Sequence, residues 1–173
     1  MPSLNTLGII LFSLLPLTVP PPSARLLSSA QPPTKGADAL RAIVGVWQSD
    51  TTGGMSALSN CVWTPAHGAV LCDQTISTPK GDQHALNLFT FDAAGGSYVL
   101  YGLQHPGDPM RLTPLAIKGS IWIYGGTSAD SDGITYRTVN DFSAPDRYSW
   151  WQESSKNGEQ WTKGVHGQVK RVR

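Results

Sequence analysis

From Val44 onward, short runs rich in β-branched and aromatic residues alternate with clusters of Gly, Pro, Asn and Asp. The clusters recur at intervals of roughly 8 to 14 residues, the punctuation of successive hairpins. The runs predict strands near residues 44–49, 55–64, 69–77, 83–91, 97–104, 111–117, 120–126, 134–142, 147–153 and 160–171. No helix of ordinary length fits between them. Each turn has its own chemistry: Asp92 to Gly96 and Lys156-Asn157-Gly158 supply residues that tolerate positive φ, Lys118-Gly119 is a tight reversal, and Ala144-Pro145-Asp146 presets a type I turn. A meander of sequential hairpins removes its exposed edges by closing on itself. The pattern therefore predicts an all-β fold, a closed antiparallel up-and-down β-barrel of about 8–10 strands; an open sandwich is the alternative it permits. Before the first strand, Asp38 to Val44 predicts a short helical turn with Asp38 as its N-cap.

The first thirty residues have a different pattern. Residues 7–19 form an apolar run of about 13 residues, short of the roughly 20 that a membrane helix needs. Pro20 to Pro22 stop any helix, and Ser28-Ser29-Ala30 places small residues where a signal peptidase reads them. Residues 1–30 thus read as a signal peptide, 31–37 as a Pro-rich linker and 38–173 as one barrel domain, exported to the periplasm or secreted, with no stable membrane insertion after cleavage. The n-region carries no Lys or Arg, so its positive charge comes from the α-amino group. Of 13 basic side chains one, Arg25, lies in the leader, which leaves 12 against 12 acidic. A near-neutral domain has no electrostatic reason to bind nucleic acid or anionic lipid.

The cysteines give the most specific local inference. Cys61 and Cys72 lie symmetrically outside the loop Pro65-Ala66-His67-Gly68, directly opposite each other across a hairpin. If Thr64 and Ala69 close that loop as a hydrogen-bonded pair, the cysteines fall at a non-hydrogen-bonded site, where side chains approach most closely. An oxidising compartment then favours a disulfide over a redox-active or metal-binding pair.

Gly45-Val46-Trp47, entered from a helical turn, resembles the G-x-W signature of the lipocalin and wider calycin superfamily. The resemblance implies that Trp47 packs across the closed end of the barrel. A basic residue of the last strand usually covers that indole, and Arg171 matches it as a cation–π and hydrogen-bonding partner, with Lys170 on the opposite face. Phe89-Thr90-Phe91-Asp92 with Tyr98-Val99, and the hairpin from Ser154 to Trp161, are similar to stretches in lipocalin-like domains of unknown function from small exported bacterial proteins. The nitrobindin branch has a longer motif after its Trp; Gln48-Ser49-Asp50 departs from it, so haem is not implied. No activity carries over from the resemblance.

Residue patterns that demand a particular chemistry are missing: there is no G-x-S-x-G, H-E-x-x-H, G-x-x-x-x-G-K or G-x-G-x-x-G. His67, His84, His105 and His166 fit no zinc spacing, and His84, read as the one near a strand interior, is where a single axial haem contact is conceivable. Ser128 to Gly133 mimics the start of a calcium loop, but Val139 stands where the closing Glu belongs. No metal, cofactor or catalytic residue is predicted. Asp92, Asp141, Glu153 and Glu159 are expected to cap turns or to pair with a base such as Arg137 or Arg147. The chain's character lies in its 6 Trp and 5 Tyr, which put apolar bulk on both faces of several strands. Either they fill the core or some line a cavity, and Tyr101, Trp122, Tyr136 and Trp150 are the candidate lining residues. The leading reading is a binding module for a small, largely apolar molecule. The alternatives are a barrel enzyme of the isomerase or cyclase kind, which needs ionisable groups converging inside, or an envelope structural or interaction protein with a filled barrel.

Overall fold

The computed structural model describes residues 36–51, 55–103 and 109–173. The signal peptide, the linker up to residue 35 and His105 lie outside the described residues. Ten antiparallel strands follow one another in sequence: β1 (Gly45–Thr51), β2 (Ser56–Trp63), β3 (Ala69–Thr78), β4 (Gly81–Asp92), β5 (Ser97–Leu103), β6 (Arg111–Lys118), β7 (Ile121–Ala129), β8 (Thr135–Asp141), β9 (Arg147–Ser155) and β10 (Thr162–Arg171). Each pairs with its neighbours in the chain, and β1 pairs with β10, so the sheet closes into a barrel. The architecture is compatible with a lipocalin-like fold, and the open sandwich does not form. Closure leaves no free edge, which a long antiparallel meander of this composition would otherwise expose.

Period-2 alternation decides which residues face inward. On β4, Ala85 and Phe89 are buried while Leu86 between them is 37% exposed. The one strand proline, Pro114, pairs with Val99 on the β5 side, whereas the β6–β7 ladder begins only at Leu115.

One end of the barrel is plugged by a 3-10 helix, Ala37–Ile43, which buries Ala37, Leu40 and Ile43. Asp38 is not its N-cap. The cap is Gly36, in the left-handed region at φ 99°, with no side-chain cap hydrogen bond, and Asp38 lies within the first turn. The chain enters the helix pressed against Phe91, where a Cβ on residue 36 would collide with the ring, so glycine takes the position that a capping side chain would need. Tyr98 fixes this entry by donating its hydroxyl to the Gly36 carbonyl at 2.6 Å. From its place in the first turn, the Asp38 carboxylate still faces the positive end of the helix.

Candidate functional site

The plugged end is built around Trp47, which is 1% exposed. Its indole N–H donates to the Ile43 carbonyl at 2.6 Å, tying the first strand to the helix. Arg171, directly opposite Trp47 in the β1–β10 register, lies over the indole at 4.2 Å from the ring centroid. The guanidinium does not hydrogen-bond the indole; it donates instead to the carbonyls of Val44, Ala42 (3.2 Å) and Pro145 (2.9 Å). Gly45 is at φ 132°, and a Cβ there would stand 2.5 Å from Arg171 Nη1 and 2.9 Å from the Arg173 carbonyl. The glycine and tryptophan of the G-x-W motif thus have one physical cause: the arginine needs an unobstructed backbone on one side and an aromatic face on the other.

Above this floor the lumen stays open. Its inner part encloses about 240 Å³, with Trp47, Phe89, Leu100, Tyr124 and Tyr148 as its apolar walls. The disulfide Cys61–Cys72 is part of the same wall, and its two residues pair across β2 and β3 with Cα atoms 4.0 Å apart. Thr64 closes the hairpin by donating its N–H to the Ala69 carbonyl at 2.9 Å. An outer part of about 410 Å³ extends toward the β1–β2 hairpin, where Met55, Ile76 and Trp150 line it. Gln74, Thr138, Asn140 and Tyr148 line both parts, so the two are one continuous space.

Between the aromatic floor and the outer end runs a belt of uncharged polar side chains. Alternation from the inward cysteines puts Ser59, Gln74 and Asn87 on the lumen side, and alternation from Tyr124 and its partner Thr138 adds Asn140. Gln74 donates to Ser59 at 3.1 Å, and Asn140 donates to the Tyr124 hydroxyl at 2.9 Å. The Asn87 side chain makes no hydrogen bond among the described residues, and the residue opposite it on β5 is Gly102, on which a Cβ would come within 3.2 Å of Asn87 Oδ1. Among the described residues no Asp, Glu, Lys, Arg or His lines either part. Burial pushes the Tyr124 phenol well up, with the Tyr148 phenol adding to the shift and Asn140 opposing it; burial raises Tyr148 as well. Both therefore stay protonated and neutral far above neutral pH.

The four candidate lining residues are not gathered in one place. Trp150 lines the outer part of the lumen. Trp122 is 1% exposed and packs among Phe89, Tyr124 and Phe142 beneath the cavity. Tyr136 is 44% exposed opposite Ser154, outside the lining set. Tyr101 alternates with the lumen-facing Leu100 and pairs with Leu88 and Leu112, which places it on the outer wall. His84 is exposed on the outer wall too, with Nδ1 3.3 Å from the Thr75 hydroxyl, so it offers the lumen no axial ligand. Among the described residues no group of three or more His, Cys, Asp or Glu could hold a metal ion.

Sequence reasoning on aromatics passed over the belt itself, although the signal was there: once the cysteines point inward, every second residue on β2 to β4 follows. On the outer wall the expected pairing of Glu153 with Arg137 forms, within a wider network of aromatic contacts that sequence reasoning left unread. Arg137 pairs with Glu153 at 2.6 Å and stacks on Trp161 at 3.9 Å, while Trp151 donates to Glu153 and Lys163 covers the Trp151 ring at 4.3 Å. These contacts bridge β8, β9 and β10 beside a register shift between Lys163 and His166. Burial, the largest single influence on the Glu153 carboxyl, pushes it up, but hydrogen bonds from Trp151 and Arg137 and the charges of Arg137 and Lys163 together outweigh it and hold the carboxyl below its usual range, so it is an ionised clamp. Among the carboxylates at strand ends, Asp92 accepts from the Ala94 N–H and Asp141 from Ser120 and Ser143, so both cap turns.

The fold and site together define a closed ten-stranded antiparallel barrel with a neutral, aromatic-floored lumen. No protein-family model matches the chain, and no curated protein is significantly similar to it. The disulfide is consistent with an exported protein, and among the described residues no helix is long and apolar enough to cross a membrane.

Proposed function

We propose that the protein is an extracytoplasmic binding module whose barrel takes up a small uncharged molecule with an apolar body. One observation carries this reading: among the described residues the lumen is walled by aromatic rings and uncharged polar groups, with no ionised side chain in its lining. An apolar pocket with a few convergent polar groups is the usual form of a small-molecule site, and here the polar groups favour a ligand that is not wholly hydrocarbon. A carboxylate ligand would enter without a cation to meet it, at the cost of desolvating its charge. An isomerase or cyclase would need a group that can lose or accept a proton, and among the described lining residues the titratable groups are Tyr124 and Tyr148, which burial keeps in their neutral forms at neutral pH. They serve a binding site as neutral hydrogen-bond donors.

Titration of the protein with the uncharged probe N-phenyl-1-naphthylamine tests the proposal. The expected result is saturable, one-to-one probe fluorescence with quenching of tryptophan, weakened by Trp150→Ala and not displaced by decanoate at neutral pH. A titration no different from that of the urea-unfolded chain, or efficient displacement by decanoate, would remove the reading.

A further inference from the structure

Resting on that reading of the lumen, we propose that the polar group of the ligand is an N–H beside a carbonyl, the edge of a lactam or cyclic amide on a flat ring, and that Asn87 is the residue that reads it. The three carboxamides of the belt are not equivalent. Gln74 and Asn140 each tie one amide N–H to a protein hydroxyl, Ser59 and Tyr124 respectively, which fixes how their amides are turned. Each keeps its carbonyl oxygen and one N–H. Asn87 spends neither end, and Gly102 across the strand pair leaves its amide unobstructed. It therefore offers a donor and an acceptor side by side, the same pairing by which asparagine recognises an adenine edge bidentately.

The surrounding groups set the sign of the preference. Against Asn87 a lactam N–H meets the Oδ1 acceptor while its carbonyl meets the Nδ2 donor, whereas a ligand that offers only oxygen leaves Oδ1 without a donor. Anions meet carbonyl oxygens and no cation. Shape narrows the class further: Phe89, Leu100 and Tyr148 wall the same space as the belt, and its inner part of about 240 Å³ lies just under the roughly 300 Å³ at which pockets for drug-sized ligands begin. A one- or two-ring molecule fits that volume.

Calorimetric titration with three bicyclic probes, 2-quinolone, coumarin and naphthalene, tests this. Coumarin replaces the lactam N–H of 2-quinolone with oxygen and keeps the carbonyl, so the pair isolates one donor. We expect 2-quinolone to bind at least roughly tenfold tighter than coumarin, and that ratio to fall to about one in Asn87→Leu while naphthalene binding is unchanged. Equal binding of 2-quinolone and coumarin by the unaltered protein would overturn the donor assignment and leave the lumen reading standing. A ratio that survives Asn87→Leu would overturn the role of Asn87. Failure of all three probes to bind, together with N-phenyl-1-naphthylamine, would overturn both readings.

Discussion

The floor of the barrel and the belt above it are made from adjacent residues of the same strands, yet they handle polar groups in opposite ways. At the floor the polar side chains are spent on the backbone: the Trp47 indole N–H goes to Ile43, the Arg171 guanidinium to three carbonyls, and the Tyr98 hydroxyl to Gly36. Rings fill what is left, with Trp47 edge-on to Tyr148 at 5.1 Å and Phe142 packed against Tyr148 at 4.5 Å. One or two residues further along the strands, Asn87 has no partner and Gln74 and Asn140 are each half used. No buried polar side-chain atom among the described residues lacks a hydrogen bond, so the unmatched groups are those the lumen leaves accessible. A protein that needed only to fold would gain by filling the belt with Leu or Val, as it fills the floor with aromatics. The contrast separates residues that hold the barrel shut from residues kept ready for something to enter it.

The sharpest way to break this division is at Trp47. Trp47→Ala removes the largest fully buried side chain and leaves Arg171 above a void. The expected loss is about 3–5 kcal/mol, read from urea unfolding. A loss under about 1 kcal/mol would mean that the floor is not the stabilising end. Next in size is the disulfide, whose loop has a sequence separation of 11. Replacing both Cys61 and Cys72 with Ala should cost about 2–3 kcal/mol by the loop-entropy estimate, with the barrel still folded. If the double variant matches the parent in thermal melting, the cross-link is not constraining the unfolded chain.

How far this division could be read from the sequence depends on range. Strand number and turns were legible because Gly, Pro, Asn and Asp punctuate them locally, and every predicted run corresponds to one observed strand. The disulfide followed from hairpin symmetry around Pro65 to Gly68. Tyr101 shows where such reasoning stops. An aromatic on a strand is as good a lining candidate as its neighbour until the facing of that strand is known, and Leu100 holds the inward position. Asn87, Gln74 and Asn140 drew no attention because an uncharged amide carries no motif; only the register ties them to the inward cysteines and Phe89. Asp38 misled for a related reason. Capping preference is local, but the close approach of Phe91 that requires Gly36 comes from a strand more than fifty residues away.

A smaller effect separates floor from surface by pH. Tyr124 and Tyr148 have folded-state pKa values raised by burial, above those of an unfolded tyrosine near 10. A raised value means the folded state holds its proton more tightly, so stability is undiminished below about pH 10 and falls as pH climbs above it. Each such group steepens the fall by up to about 1.4 kcal/mol per pH unit. Melting temperatures followed from pH 8 to 11.5 should therefore drop in the upper part of that range, and Tyr148→Phe should make the drop shallower. An unchanged profile in the variant would place that phenol in contact with solvent instead.

The smallest effect on stability is the one that bears most directly on the belt. Asn87→Leu exchanges an amide that bonds nothing in the protein for an apolar side chain of similar size, facing Gly102 and flanked by Cys72 on the next strand. If the belt were part of the fold's own hydrogen bonding, removing a member would strand a partner and cost about 1–3 kcal/mol. Because Asn87 has no partner to strand, the expected change is within about 0.5 kcal/mol, and burial of the Leu methyls can make it slightly stabilising. Gln74→Leu serves as the internal contrast, since it leaves the Ser59 hydroxyl without its donor and should cost more. Urea unfolding of the two variants side by side decides the matter. Should Asn87→Leu prove the more damaging, the amide is structural, and the belt's unmatched groups lose their claim to be the recognition surface.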